Sequence, residues 1–228
     1  MIYPPLLSVL MLFFLALTLV FLPLLWFEVV GTAFANLGLS RGMVFWLLIL
    51  SLLGSMVNLP LTTLKSEAVT PPQVVTYFGM RVRLPPVRVP RHTVLAVNVG
   101  GALIPVGLSV YLLVKIIGQM GLPFGLVVTV AVVTGVMYAV ARPIPGLGIG
   151  VPGLLPPVLA ALGAWLLCPE AVRAPCAYIA STLGVLIGAD LLNLGKIPRL
   201  GAPVASIGGA GTFDAIFLGG ILSVLLSN

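Results

Sequence analysis

The sequence predicts an all-α, polytopic transmembrane helix bundle of about seven spans, and three observations carry that expectation. Hydrophobic residues make up 60% of the 228 and charged residues only 7%, whereas a soluble globular domain carries about 25% charged residues to keep its surface wet. The apolar residues fall into runs of membrane-crossing length, and the chain can hold about seven spans of roughly 20 residues with short connections. The lysines and arginines gather between those runs. The formal charge of +6 therefore reads as basic flanks on hydrophobic spans, and no nucleic-acid partner is expected.

The candidate spans lie at about 5–27, 37–57, 93–117, 122–141, 153–167, 175–194 and 205–227. The first is not expected to be a cleaved signal peptide, because its apolar run is too long and no Lys or Arg precedes it. The fifth is short and crowded with proline and glycine. The whole of 1–228 then reads as one transmembrane domain in the cell membrane. If the N-terminus is cytoplasmic, that side collects Lys65, Arg81, Arg83, Arg88, Arg91, Arg142, Lys196 and Arg199. The opposite side keeps Arg41, Lys115 and Arg173. The bias places the C-terminus outside.

The connection at about 58–92 is the only sizeable polar piece, a cytoplasmic basic loop. Thr76 to Leu84, then Pro85-Pro86, then Val-Arg-Val, reads as two short strands about a proline turn. It serves either as a basic skirt on anionic headgroups or as an edge strand for an extended peptide. Membrane lipids are the expected partners in the first case. Arg142 to Pro157 holds five prolines and four glycines and cannot be a plain helix. Asn98, followed by Gly100, Gly101 and Pro105, gives span three a soft point of its own. Cys168 and Cys176 share an outer connection, where an oxidising compartment would let them form a disulfide.

Acidic residues are few enough to weigh singly. Glu28, Glu67 and Glu170 fall at span ends or in connections, where water reaches them. Asp190 and Asp214 are the only aspartates, and both lie inside hydrophobic segments, where a carboxylate costs about 2.5–3.5 kcal/mol on insertion scales. The connection between their spans is short, so the two helices should be neighbours with both carboxyls in the cytoplasmic part of the membrane. Two carboxyls at one depth can share a proton, one neutral and one ionised. These two are the candidate catalytic residues, and Gly211, Phe213, Asn193 and Asn98 are the candidate substrate-contacting ones. Asn193 shares the face of Asp190 and is placed to hydrogen-bond it. Gly211, Ala215, Gly219 and Ser223 form a small-residue stripe on span seven. Ala180, Gly184 and Gly188 form another on span six, turned roughly 160° from Asp190 on a regular helix.

Gly188-Ala-Asp190-Leu-Leu and Gly211-Thr-Phe-Asp214-Ala-Ile-Phe-Leu-Gly219 resemble the two aspartate motifs of intramembrane aspartyl proteases of the presenilin and signal peptide peptidase type. That family carries one aspartate on its sixth span and the other in Gly-x-Gly-Asp on its seventh. Phe213 stands here in place of the family's glycine, and the family's Pro-Ala-Leu motif does not follow Asp214. The resemblance implies a presenilin-like helix arrangement, a hydrolase without cofactor, and a transmembrane peptide as substrate. The chain as a whole resembles an uncharacterised family of prokaryotic multi-span membrane proteins. Asn98-Val-Gly-Gly-Ala-Leu-Ile-Pro105, Gly188 to Asn193 and Gly208 to Asp214 carry that likeness.

Other proteolytic chemistries are excluded. His92 is the single histidine, no His-Glu-x-x-His occurs, and no metal site is expected. Two alternatives to hydrolysis remain: a cation- or proton-coupled transporter or channel using the same aspartates with Asn98 and Asn193, and a non-catalytic relative.

Overall fold

A computed structural model describes residues 5–69, 74–77, 80–83, 88–144, 148–209 and 215–227. Within them the chain is mostly helical, with seven α-helices. Two apolar helical stretches, Val99–Met120 and Glu170–Pro198, are long enough to cross a membrane, and the other apolar stretches run 10–17 residues.

The first helix, α1 (Pro5–Asn36), turns through Gly38 at φ 70° into α2 (Arg41–Gly54). The Ser40 hydroxyl accepts the Met43 N–H at 3.3 Å and caps α2, satisfying one of the amides a helix start leaves open. α1 runs nine residues past the expected end of its span. Glu28 is exposed on the part of the helix that runs past the expected span. Along α1 the large side chains face outward, Leu12 at 66% and Leu19 at 66% exposure among them. An apolar exterior of this extent marks a surface for lipid or a partner, and with the two long helices it indicates membrane association.

Seven strands accompany the helices, a departure from a purely α bundle. β1 (Asn58–Val69) pairs antiparallel with β4 (Arg88–Asn98), and the register slips once, between Pro60 and Thr62. Pro60 cannot donate to the ladder, and a bulge is where a strand tolerates that. β2 (Val74–Tyr77) and β3 (Met80–Arg83) form a hairpin of their own at the far end. Strands were expected in this connection, but their pairing differs: 80–83 pairs back on 74–77, and the chain after Pro86 belongs to the β1–β4 ladder. Span three was expected to begin at 93. Instead 93–98 is strand, made extended by its β-branched Thr93, Val94 and Val97. The helix starts as a π-turn at Val99–Leu103 and becomes α3 (Ile104–Met120).

α4 (Phe124–Val140) follows, and the proline-rich stretch is indeed no helix. β5 (Arg142–Ile144) and β6 (Gly148–Gly150) form a small hairpin before α5 (Leu155–Leu167). α6 (Arg173–Val185) is the centre of the bundle, packed on α3, α4, α5 and α7. Its small residues take α4: a Cβ at Gly184 would meet Val133, and one at Gly188 would meet the Thr134 carbonyl and Met137. The glycine face of span six thus packs away from the aspartate, as the 160° offset predicts. α6 then loosens into a π-turn, Leu186–Asp190, and a 3-10 segment, Leu191–Leu200.

β7 (Val204–Ile207) lies parallel beside β4 and completes a sheet in the order β1-β4-β7. α7 (Ala215–Leu226) closes the described chain. Span seven was expected from 205, but Val204–Ile207 is strand, and the described helix of this span is Ala215–Leu226. Its Gly219 faces Ser181, and its Gly220 faces Tyr178 and Thr182, so these glycines seat α6 side chains.

Candidate functional site

Asp190 is the last residue of the π-turn and is half-buried. An α-helix satisfies each carbonyl with the amide four residues on. A passage from π to 3-10 pairing disturbs that sequence, and a side chain fills the gap here. Buried Asn193 donates Nδ2 to the carbonyls of Gly188 at 2.9 Å and Ala189 at 3.0 Å. Its Nδ2 is thus used to hold the helix break open, where the sequence suggested a bond to the Asp190 carboxyl. Its Oδ1 is buried without a hydrogen-bond donor among the described residues, so that oxygen marks a place for one, such as a water. Lys196, on the 3-10 segment, lies 5.4 Å over the Tyr138 ring of α4.

Asp214, Gly211 and Phe213 lie outside the described residues. In sequence Asp214 immediately precedes Ala215, the first residue of α7, and α7 packs along α6. The edge strand β7 thus lies between the two aspartates in sequence, and the helix that follows Asp214 packs on the one that precedes Asp190.

Asn98 fastens the same end of the bundle. Its Nδ2 donates to the Ser55 carbonyl at 2.7 Å and to Asn58 Oδ1 at 3.1 Å, and its Oδ1 accepts the Gly101 N–H at 2.7 Å. Ser206 of β7 donates its hydroxyl to the same Asn58 oxygen at 2.6 Å. The Asn98 side chain is fully buried and both its donor hydrogens are taken, so it ties β1, β4, β7 and the start of α3 together. Asn58 and Ser206 went unread in the sequence. The alternation of Val204, Ser206 and Ile207 around Ala205 was the available signal, and it was hidden inside an apolar run.

Glycine sets the closeness of this junction. A Cβ at Gly100 would collide with the Ser51 carbonyl, and one at Gly101 with the Gly208 carbonyl. Gly208 itself, at φ 82°, faces Ala102 Cβ at what would be 2.6 Å. Gly209, at φ 92°, continues the left-handed backbone toward the segment that leads to Asp214.

At the opposite end Cys168 and Cys176 are both buried free thiols. The expected disulfide is not formed in this structure. The neighbouring Cys176 thiol holds Cys168 below its ordinary pKa, burial opposes that shift, and Arg173 acts with Cys176. Among the described residues no group of three or more His, Cys, Asp or Glu is arranged to hold a metal ion.

The fold defines a helical, membrane-associated protein whose central helix breaks at Asp190. The model of the family described as "Protein of unknown function (DUF1614)" matches residues 52–226, and the chain belongs to that family. The match takes in every element of the site and leaves out α1. No curated protein matches, and no solved structure matches. The protease resemblance thus rests on the two aspartate segments alone.

Proposed function

We propose that this chain is an intramembrane aspartyl protease-like hydrolase, with Asp190 and Asp214 as its paired carboxyls. One observation carries the reading. The chain leaves the helix break at Asp190, forms β7, and passes directly on to Asp214, and β7 is an edge strand that pairs only with β4 among the described residues. A peptide bond in a helix is shielded by its own hydrogen bonds and must be extended before water can attack it. An edge strand supplies the missing backbone partners for an extended segment, and this one lies between the two aspartates in sequence. In the reaction, the ionised carboxylate takes a proton from water as the oxygen bonds to the scissile carbonyl carbon. The neutral carboxyl donates to the carbonyl oxygen. Collapse of that adduct breaks the C–N bond, and the amine leaves with a proton. Gly211 and Phe213 flank the substrate.

The same reading takes all seven helices as spans, with residues 58–92 and 195–204 on the cytoplasmic side and the C-terminus outside. The decisive experiment reconstitutes the chain with a transmembrane peptide carrying a labelled helix. Cleavage lost in both Asp190→Asn and Asp214→Asn, each still folded, supports the pair; cleavage that survives either change refutes it.

A second reading has its own observation. A helix broken beside a carboxylate and a donor-free amide oxygen is the arrangement in which ion transporters hold a cation or proton. Ion or proton flux into proteoliposomes that stops in Asp190→Asn, with no cleavage of any peptide offered, would favour it.

A further inference from the structure

The end of the bundle away from Asp190 carries a second, chemically different cavity. Lys115 lies five residues before the end of α3, half-buried, with one recorded bond, to the Gly38 carbonyl at 3.3 Å. It borders a cavity of about 160 Å³ whose other polar walls are Asn36 and Gln119, closed beneath by Val172 and Pro175. Arg173, the next residue after Val172, has an Nε that is buried and unbonded. A second, larger groove is lined by residues next to these in sequence. Asn36, Leu37 and Gly38 line the pocket, whereas Ala35 and Leu39, on either side of them, line an open groove of about 710 Å³ between α1 and α2. Leu24, Gly31 and Val44 line that groove with apolar side chains or none, and Glu28 is the one charged residue among its described lining.

We infer that this composite site binds a membrane phospholipid, its phosphate held by Lys115 with Asn36 and Gln119 and an acyl chain lying in the α1/α2 groove. Three properties favour that occupant. The cation sits about 7–8 Å inside the end of an apolar helix, the depth at which a long basic side chain snorkels toward headgroups. The pocket offers a cation and amide donors together, the set a phosphate diester needs. An apolar trough opens from the same turn, which a free anion would not use.

The test uses the full chain purified in detergent and counts bound molecules by native mass spectrometry. It is titrated with phosphatidylglycerol, with diacylglycerol of the same chains, and with inorganic phosphate. Phosphatidylglycerol should bind one per chain and at least tenfold more tightly than diacylglycerol. Lys115→Gln should weaken it about fivefold or more without changing diacylglycerol binding, and Lys115→Arg should retain it. Glu28→Gln should leave lipid binding unchanged or tighter, since it removes the one charge from the acyl groove. Equal binding of the two lipids, or an unaltered affinity in Lys115→Gln, overturns the site. Inorganic phosphate binding as tightly as the lipid would make it a free-anion site and overturn the lipid. Loss of binding in Glu28→Gln would assign the groove to a basic segment instead. Should Lys115→Gln fail to stay monodisperse, the lipid pair on wild type and Lys115→Arg decides alone.

Discussion

The two ends of the bundle are built differently. At one end α1 meets α2, α3 meets α4 and α5 meets α6 through short plain connections, and the helices keep their regular pairing up to their last turn. At the other end almost every helix becomes something else. α2 runs into β1, α3 grows out of β4 through a π-turn, α4 ends in the β5–β6 hairpin, and α6 decays through π and 3-10 turns into β7. Irregular backbone at membrane depth survives only where protein or water satisfies it. Here the satisfaction is visible: Asn98 and Asn193 spend their amides on carbonyls, and the sheet pairs the rest. A chain that needed only to pack would not require these devices. On the proposed reading the irregular end holds the site, and the regular end is scaffold plus one basic pocket.

The largest expected effect tests whether the irregular end is chemical. Asp190→Asn and Asp214→Asn should each lower peptide cleavage by about 10²–10⁴-fold, the range general acid–base groups contribute. Thermal unfolding should change little, because a neutral amide is easier to bury than a carboxylate. A variant that loses activity and fold together would mean that the aspartates only brace the break.

The next effect separates the ends by stability. Gly208→Ala puts a Cβ on a left-handed backbone and against Ala102. It should cost about 3 kcal/mol or more, from overpacking and strain together. Gly118→Ala, exposed near the regular end of α3 with nothing within 4 Å, should instead be neutral or stabilising by up to about 1 kcal/mol. Similar losses at both positions, measured by denaturation, would erase the contrast.

How much of this was readable beforehand follows the same division. Composition and run length gave the helices of the regular end, because burial in an apolar solvent depends on hydrophobicity alone. The same property hid the sheet. Thr93 to Asn98 and Val204 to Ile207 are as apolar as a span, and only their pairing marks them as strands, the first with β1 and the second with β4, contacts 29 or more residues away in sequence. Asp190 was conspicuous as a charge in an apolar run. The role of Asn193 was not, because it depends on a helix break that no local spacing announces. Gly208 and Gly101 read as packing glycines, yet their contact joins segments more than 100 residues apart.

The regular end has a redox test. Under mild oxidation Cys168 and Cys176 should close a disulfide, since the two free thiols are near enough for Cys176 to shift the titration of Cys168. The gain should be somewhat below the roughly 3 kcal/mol expected for a fifteen-residue loop. The reaction should start at lower pH than for an ordinary thiol, because the depressed pKa of Cys168 gives thiolate sooner. Mass spectrometry that finds both thiols free after oxidation would rule it out.

The smallest expected effect is the sharpest on mechanism. Asn193→Ala removes two hydrogen bonds to the carbonyls of Gly188 and Ala189, each worth about 1 kcal/mol. It also removes an Oδ1 that is buried without a donor, which returns part of the loss, so the net cost should be about 1 kcal/mol. Asn193→Asp keeps the shape but replaces the donor by a second acceptor facing two carbonyl oxygens, and it adds a charge beside Asp190. It should therefore destabilise more than the alanine, even though it changes fewer atoms. That inverted order is what an amide acting as a donor to a broken helix requires. An alanine variant worse than the aspartate would mean that Asn193 acts through its bulk, and the break at Asp190 would then owe its shape to packing against α4.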